Sequence, residues 1–165
     1  DVKAYRTTPV AKEADCVLWE DFELRDIGWG PFVNTVKGCI YTDLSEFNPG
    51  RTADVIDGHF SLKTWNQKKG LLYRTVPGLL RLSPEQKYEI EFDYLCDRDN
   101  SYELIIKESD RPEARVLLRE PIERGKGRVK KEFSTTRYPD AWIGIEKTNN
   151  DPVIFVMDNL KLFIR

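Results

Sequence analysis

The groups in this chain whose types could do chemistry are carboxylates and aromatic rings. Asp21 and Glu23 stand in the run DFE near the front, and Asp158 interrupts the long apolar stretch VIFVMDNLKLFI at 153–164, where strand alternation alone would not demand an acid. Hard oxygen donors of this kind suit calcium, which takes about six to eight of them. Asp21, Glu23 and Asp158, with backbone carbonyls from 43–48, make a candidate structural calcium site. The competing reading is that these acids face water or pair with Arg25 and Lys161. Among the aromatics, Trp29, Trp65 and Tyr73 can each offer a flat face to the apolar side of a sugar ring, with Arg74, Asn66 or Gln67 bonding its hydroxyls. Trp65 is the strongest of these, because it falls off the face shared by Phe60, Leu62 and Thr64 and adjoins a polar turn. Trp142, between Ala141 and Ile143, reads as core.

Other chemistries find little support. The chain has no GxxxxGK[ST] loop, no GxGxxG and no GxSxG elbow. His59 is the only histidine, so a Ser-His-Asp arrangement would depend on it, and it reads as a turn or strand-edge residue. Its three cysteines, Cys16, Cys39 and Cys96, are spaced too widely for a CxxC metal or redox motif; they read as buried thiols, with Cys16–Cys39 the one pair worth testing as a disulfide. No two carboxylates are set apart by an apolar surrounding that would raise one pKa for glycosidase work. The basic run 124–131 reads as a solvated turn and strand face, since Glu120, Glu123 and Glu132 blunt its field; the rival is a nucleic-acid stripe with Phe133 as stacking platform.

These groups must be held by strands. In residues 87–94, KYEIEFDY, the side chains of Tyr88, Ile90, Phe92 and Tyr94 alternate with Lys87, Glu89, Glu91 and Asp93, a period of two with one buried face and one wet one. Tyr102, Leu104 and Ile106 repeat it. Further strands are expected at 17–23, 38–42, 59–65, 71–77, 114–119, 128–133, 142–147 and 153–164, with 59–65 and 71–77 forming a hairpin across the turn at 66–70. The first and last strands are expected to lie side by side, which would bring Glu23 close to Asp158. About ten short strands with regular turn signals, and no sustained 3.6-residue apolar period, argue for an all-β antiparallel sandwich of jelly-roll type.

The length suits one domain, 16–165, behind a weakly patterned lead-in segment at 1–15. A net charge of −2 gives no electrostatic case for nucleic acid or an anionic membrane. No apolar run approaches the ~20 residues of a membrane span, and no signal peptide opens the chain at Asp1. The expectation is a domain excised from a longer protein.

Three stretches, FELRDIGWGPFV (22–33), DVIDGHFSLKT (54–64) and GLLYRTVPGLLRLSPEQKYEIEFDY (70–94), resemble the galactose-binding-like β-sandwich domain of bacterial endo-α-N-acetylgalactosaminidases, large secreted hydrolases of mucin-type O-glycans. A looser similarity, through the early Phe22-Glu23 pair and the late Asp158, extends to calcium-bearing jelly-roll carbohydrate-binding modules. The resemblance implies an accessory domain of an extracellular or bacterial cell-surface enzyme, lying apart from a catalytic barrel that carries all the catalytic acids. Its expected partners are galactose- or N-acetylgalactosamine-containing glycans and other domains of the parent polypeptide. The alternatives are a structural interaction domain that packs against its neighbours without binding sugar, and a small standalone hydrolase, which would need a cleft with paired acids.

Overall fold

The computed structural model describes residues 15–24, 29–35, 42–46, 54–66 and 68–165. Residues 1–14 of the expected lead-in segment, Arg25, residues 38–41 of the strand expected at 38–42 (with Cys39) and Gln67 lie outside them. Eleven strands run through the described residues: β1 (Cys16–Glu20), β2 (Phe32–Asn34), β3 (Thr42–Glu46), β4 (Phe60–Thr64), β5 (Gly70–Thr75), β6 (Lys87–Cys96), β7 (Tyr102–Lys107), β8 (Val116–Pro121), β9 (Gly125–Ser134), β10 (Trp142–Lys147) and β11 (Phe155–Ile164). They form two antiparallel sheets, one ordered β3-β4-β11-β6-β9 with β1 also on β11, the other β2-β5-β10-β7-β8. The all-β sandwich expected from the alternation is what the chain adopts.

Period two explains the inner faces. Tyr88, Ile90, Phe92 and Tyr94 on β6 are all buried, while Glu89, Glu91 and Asp93 between them reach arginines on the wet face. Arg128 of β9 pairs with Glu91 at 3.1 Å and Asp93 at 2.8 Å, so this part of the basic run 124–131 lines up against acids of the next strand. The two sheets meet through rings: Tyr102 of β7 stacks on Phe155 of β11 with centroids 5.2 Å apart, and Phe155 also touches Tyr94 and Phe92.

One connection differs from expectation. Strands β4 and β5 do not make a hairpin, because β4 pairs with β3 and β11 while β5 pairs with β2 and β10 in the other sheet. Both strands carry inward apolar side chains, Leu62 and Tyr73, which suits opposite walls of one core as well as adjacent positions on one wall. The short β2 was not anticipated, since three residues are too few to show a period.

The first and last strands do pair, and the manner of pairing sets up the acid cluster. One edge of β11 is shared: β4 takes Phe155, Val156 and Met157, and β1 takes Leu160 through Phe163. Asp158 and Asn159 sit at the changeover, beside a register shift on the β6 side, with Asn159 at φ 51°.

Candidate functional site

At that changeover β1 ends and its chain turns through Phe22, held at φ 59°, to present Glu23. The Glu23 carboxylate accepts the backbone N–H of His59 at 2.9 Å and of Phe60 at 3.0 Å. It packs so closely on Gly58, at φ +64°, that a Cβ there would lie 2.7 Å from its oxygens, so both the backbone conformation and the space require glycine. Asp158 is wholly buried and accepts from the Ser61 hydroxyl at 2.7 Å, the Asn159 N–H at 2.8 Å and the Asp57 N–H at 3.3 Å. Burial outweighs these bonds and, with some help from the Glu23 charge, pushes its carboxyl up to about 8. Asp21 accepts the Glu23 N–H at 3.1 Å and lines a cavity of about 200 Å³ with Glu23, Asp57 and Asp158.

The structure therefore gathers Asp21, Glu23 and Asp158, the residues read from the sequence as calcium ligands. It turns the oxygens of Glu23 and Asp158 toward N–H and O–H donors. Among the described residues no group of three or more His, Cys, Asp or Glu side chains is arranged to hold a metal ion. Asp57 and Ser61 carry no signal of this role in the sequence, where Asp57-Gly58 reads only as a turn. His59 is the exposed turn residue expected, its side chain 81% accessible.

The aromatic residues separate into two environments. Trp65 leaves the end of β4 and is 37% exposed, the most open of the large rings singled out. It lines a cavity of about 280 Å³ with Asp43, Glu46, Asp54 and Lys63, and the Lys63 ammonium lies 5.5 Å from its ring centre and 2.8 Å from Asp54. Trp29 reaches the same neighbourhood from the other side, donating its indole N–H to Asp43 at 3.4 Å. Asp43, Asp54 and Lys63 carry no signal of this role in the sequence, because the cross-strand pairing of Asp43 with Lys63 and the return of Asp54 from the β3–β4 connection are set by strand register.

Tyr73 needs correction as a sugar platform. Its ring is wholly buried, 5.1 Å from Phe32 and 6.4 Å from Trp29, and burial pushes its phenol well above the usual range. Parity explains this: Tyr73 lies on the same side of β5 as Thr75, facing the core. Arg74, next in the chain, faces outward on the five-stranded sheet, where it covers the buried Trp142 at 4.9 Å and pairs with Asp110 at 2.7 Å. It stands on a different sheet from Trp65. Asn66 is buried and donates to the Lys68 carbonyl at 2.7 Å.

The family model described as galactose-binding domain-like matches residues 4–155. The chain belongs to that family. A protein of Renibacterium salmoninarum, named "Putative endo-alpha-N-acetylgalactosaminidase", is 28% identical over 160 residues, covering 87% of this chain. The chain spans about a tenth of that relative's length. Among solved structures, the CBM22-1 xylan-binding domain from Paenibacillus barcinonensis Xyn10C superposes with a TM-score of 0.69 at 11% identity, covering 91% of this chain and 94% of that one. The CBM22-1 and GH10 modules of Clostridium thermocellum endo-1,4-beta-D-xylanase 10B, complexed with xylohexaose, give 0.68 at 12% identity, covering 91% of this chain and 28% of that one. At such identities the likeness is one of fold, and the fold of this galactose-binding-like domain is that of carbohydrate-binding modules.

Proposed function

We propose that this galactose-binding-like domain is a non-catalytic carbohydrate-binding module of a secreted bacterial glycoside hydrolase acting on mucin-type O-glycans, with galactose or N-acetylgalactosamine as its ligand. The observation that carries the proposal is the exposed Trp65 ring beside a polar cavity edged by Asp43, Asp54 and Lys63. A pyranose offers apolar C–H groups on one face and hydroxyls around its rim. Stacking answers the first, and carboxylates that accept hydroxyl protons answer the second. The fold and the Renibacterium salmoninarum relative support the same reading.

Calorimetric titration of the domain with galactose, N-acetylgalactosamine and xylohexaose tests it. The expected result is binding of the first two with a dissociation constant on the order of 1 mM, about −4 kcal/mol, lost in Trp65→Ala. Heats no different from buffer at tens of millimolar sugar overturn it. A second reading, a domain that packs on a neighbour in the parent polypeptide, is favoured by Val33, Val76 and Leu79, exposed at 42%, 39% and 37% near the β2–β5 edge. A folded domain that binds no sugar leaves that reading in place.

Calcium is a separate proposal. The convergence of Asp21, Glu23 and Asp158 on one small cavity supports it, and the N–H donors now serving those acids are what an ion would have to compete with. We propose an extracellular or cell-surface location on the same grounds as the parent enzyme.

A further inference from the structure

We propose that a second cavity, at the end of the sandwich where β7 turns into β8 and β9 into β10, binds the oxyanion of an acidic sugar, either a sulfate ester or a carboxylate. The site is distinct from the Trp65 cavity, and the assignment of a sugar rests on the carbohydrate-binding reading above. The cavity measures about 540 Å³, inside the usual range for small-ligand pockets, and Arg111, Arg115 and Arg137 all line it with Glu85, Glu108 and Tyr138.

Three arginines face two acids, and one acid is already committed. Glu108 is buried and accepts the Arg111 guanidinium at 2.6 Å, the Arg115 backbone N–H at 3.0 Å and the Thr136 hydroxyl at 3.0 Å. It braces the 108–115 loop against the 135–138 segment and neutralises Arg111. Asp110 and Asp140, close by in sequence, are engaged elsewhere: Asp110 pairs with Arg74, and Asp140 accepts the Asp110 N–H. The Tyr138 ring holds two guanidiniums, Arg111 at 4.1 Å and Arg137 at 4.9 Å from its centre, and its hydroxyl accepts from Arg137 at 2.8 Å.

Among the described residues, neither Arg115 nor Arg137 has a carboxylate within ion-pair distance of its guanidinium. Glu85 is the one acid lining the cavity to set against those two. Planar guanidiniums present paired N–H donors that match the oxygens of a sulfate or carboxylate, and a neutral hydroxyl gains less from the same donors. The walls are polar and carry one surplus positive charge, so the arrangement selects on charge rather than on ring stacking.

Calorimetry of the intact domain at low salt tests this with galactose 6-sulfate, N-acetylneuraminic acid, inorganic sulfate and galactose. At least one acidic sugar should bind roughly tenfold more tightly than galactose, the size of one good charge-assisted hydrogen bond. Which one does so separates the sulfate from the carboxylate source. The preference should weaken at high salt and vanish in Arg115→Gln/Arg137→Gln. It should survive in Trp65→Ala even if galactose binding itself is lost or was never present. Arg115→Gln alone serves if the double variant fails to melt cooperatively, because only the backbone of Arg115 braces the loop. Equal affinity for acidic and neutral sugars, a preference that outlives Arg115→Gln, or inorganic sulfate binding as tightly as the acidic sugars would each overturn the proposal.

Discussion

Tyr73 illustrates what burial does to one polar atom. Its hydroxyl has no hydrogen-bond partner among the described residues, although the ring around it is closely packed. An unmet buried hydroxyl costs about 1–3 kcal/mol. Tyr73→Phe keeps the ring and removes that atom, so a urea midpoint should rise, by about 1 kcal/mol of stability, with sugar affinity unchanged. A fall in stability would show that the hydroxyl is satisfied. Asp158 gives the opposite case, a buried acid that is well bonded. Its carboxyl titrates near 8 in the folded chain, above the 3.8 from which burial raises it. The folded state therefore holds a proton that the unfolded state releases between those values, and stability from this group is complete below the lower pKa and is lost as pH rises through the upper one. Thermal midpoints from pH 5 to 9 should fall more steeply in the natural domain than in Asp158→Asn. Parallel curves would place the proton elsewhere.

At the scale of elements, the decisive feature is the single edge of β11 divided between β4 and β1. The gap between those two partners is where Asp158 meets Glu23, and a cation placed there would tie the first strand to the last. Binding only to the folded form stabilises by about 2.7 kcal/mol at a hundredfold excess over Kd, a shift of a few degrees for a domain of this size. If calcium binds, the melting midpoint rises on its addition, returns with chelator, and loses its Asp158-dependent slope with pH, because a calcium ligand stays ionised. Identical midpoints with and without chelator overturn the calcium proposal. The strands themselves were largely legible. β6 covers the expected residues, since its inward face alternates without interruption, and β10 runs over the expected 142–147 although all but Glu146 of it is buried. The hairpin between β4 and β5 was misread because a short polar turn looks the same whether it joins neighbours in one sheet or crosses between two.

For the whole molecule, the sequence determined the class of fold and the pairing of β1 with β11. Alternation with period two makes one wet face and one dry one on each strand, and dry faces in this number are buried here by laying one sheet on another. It also marked Trp65 as a ring displaced from the buried face. It could not place Tyr73, because Tyr73 and Arg74 are neighbours of opposite parity and either can face solvent until the partner sheet is known. Nor could it assemble Asp43, Asp54 and Lys63 beside Trp65, or Arg111, Arg115, Arg137 and Tyr138 in one cavity, since strand register and loop packing, not local spacing, bring these sets together. Local spacing fixes which side a residue takes along its own strand. Only the pairing of strands and the closing of one sheet over the other decides which side is inside, and which distant loops share a cavity.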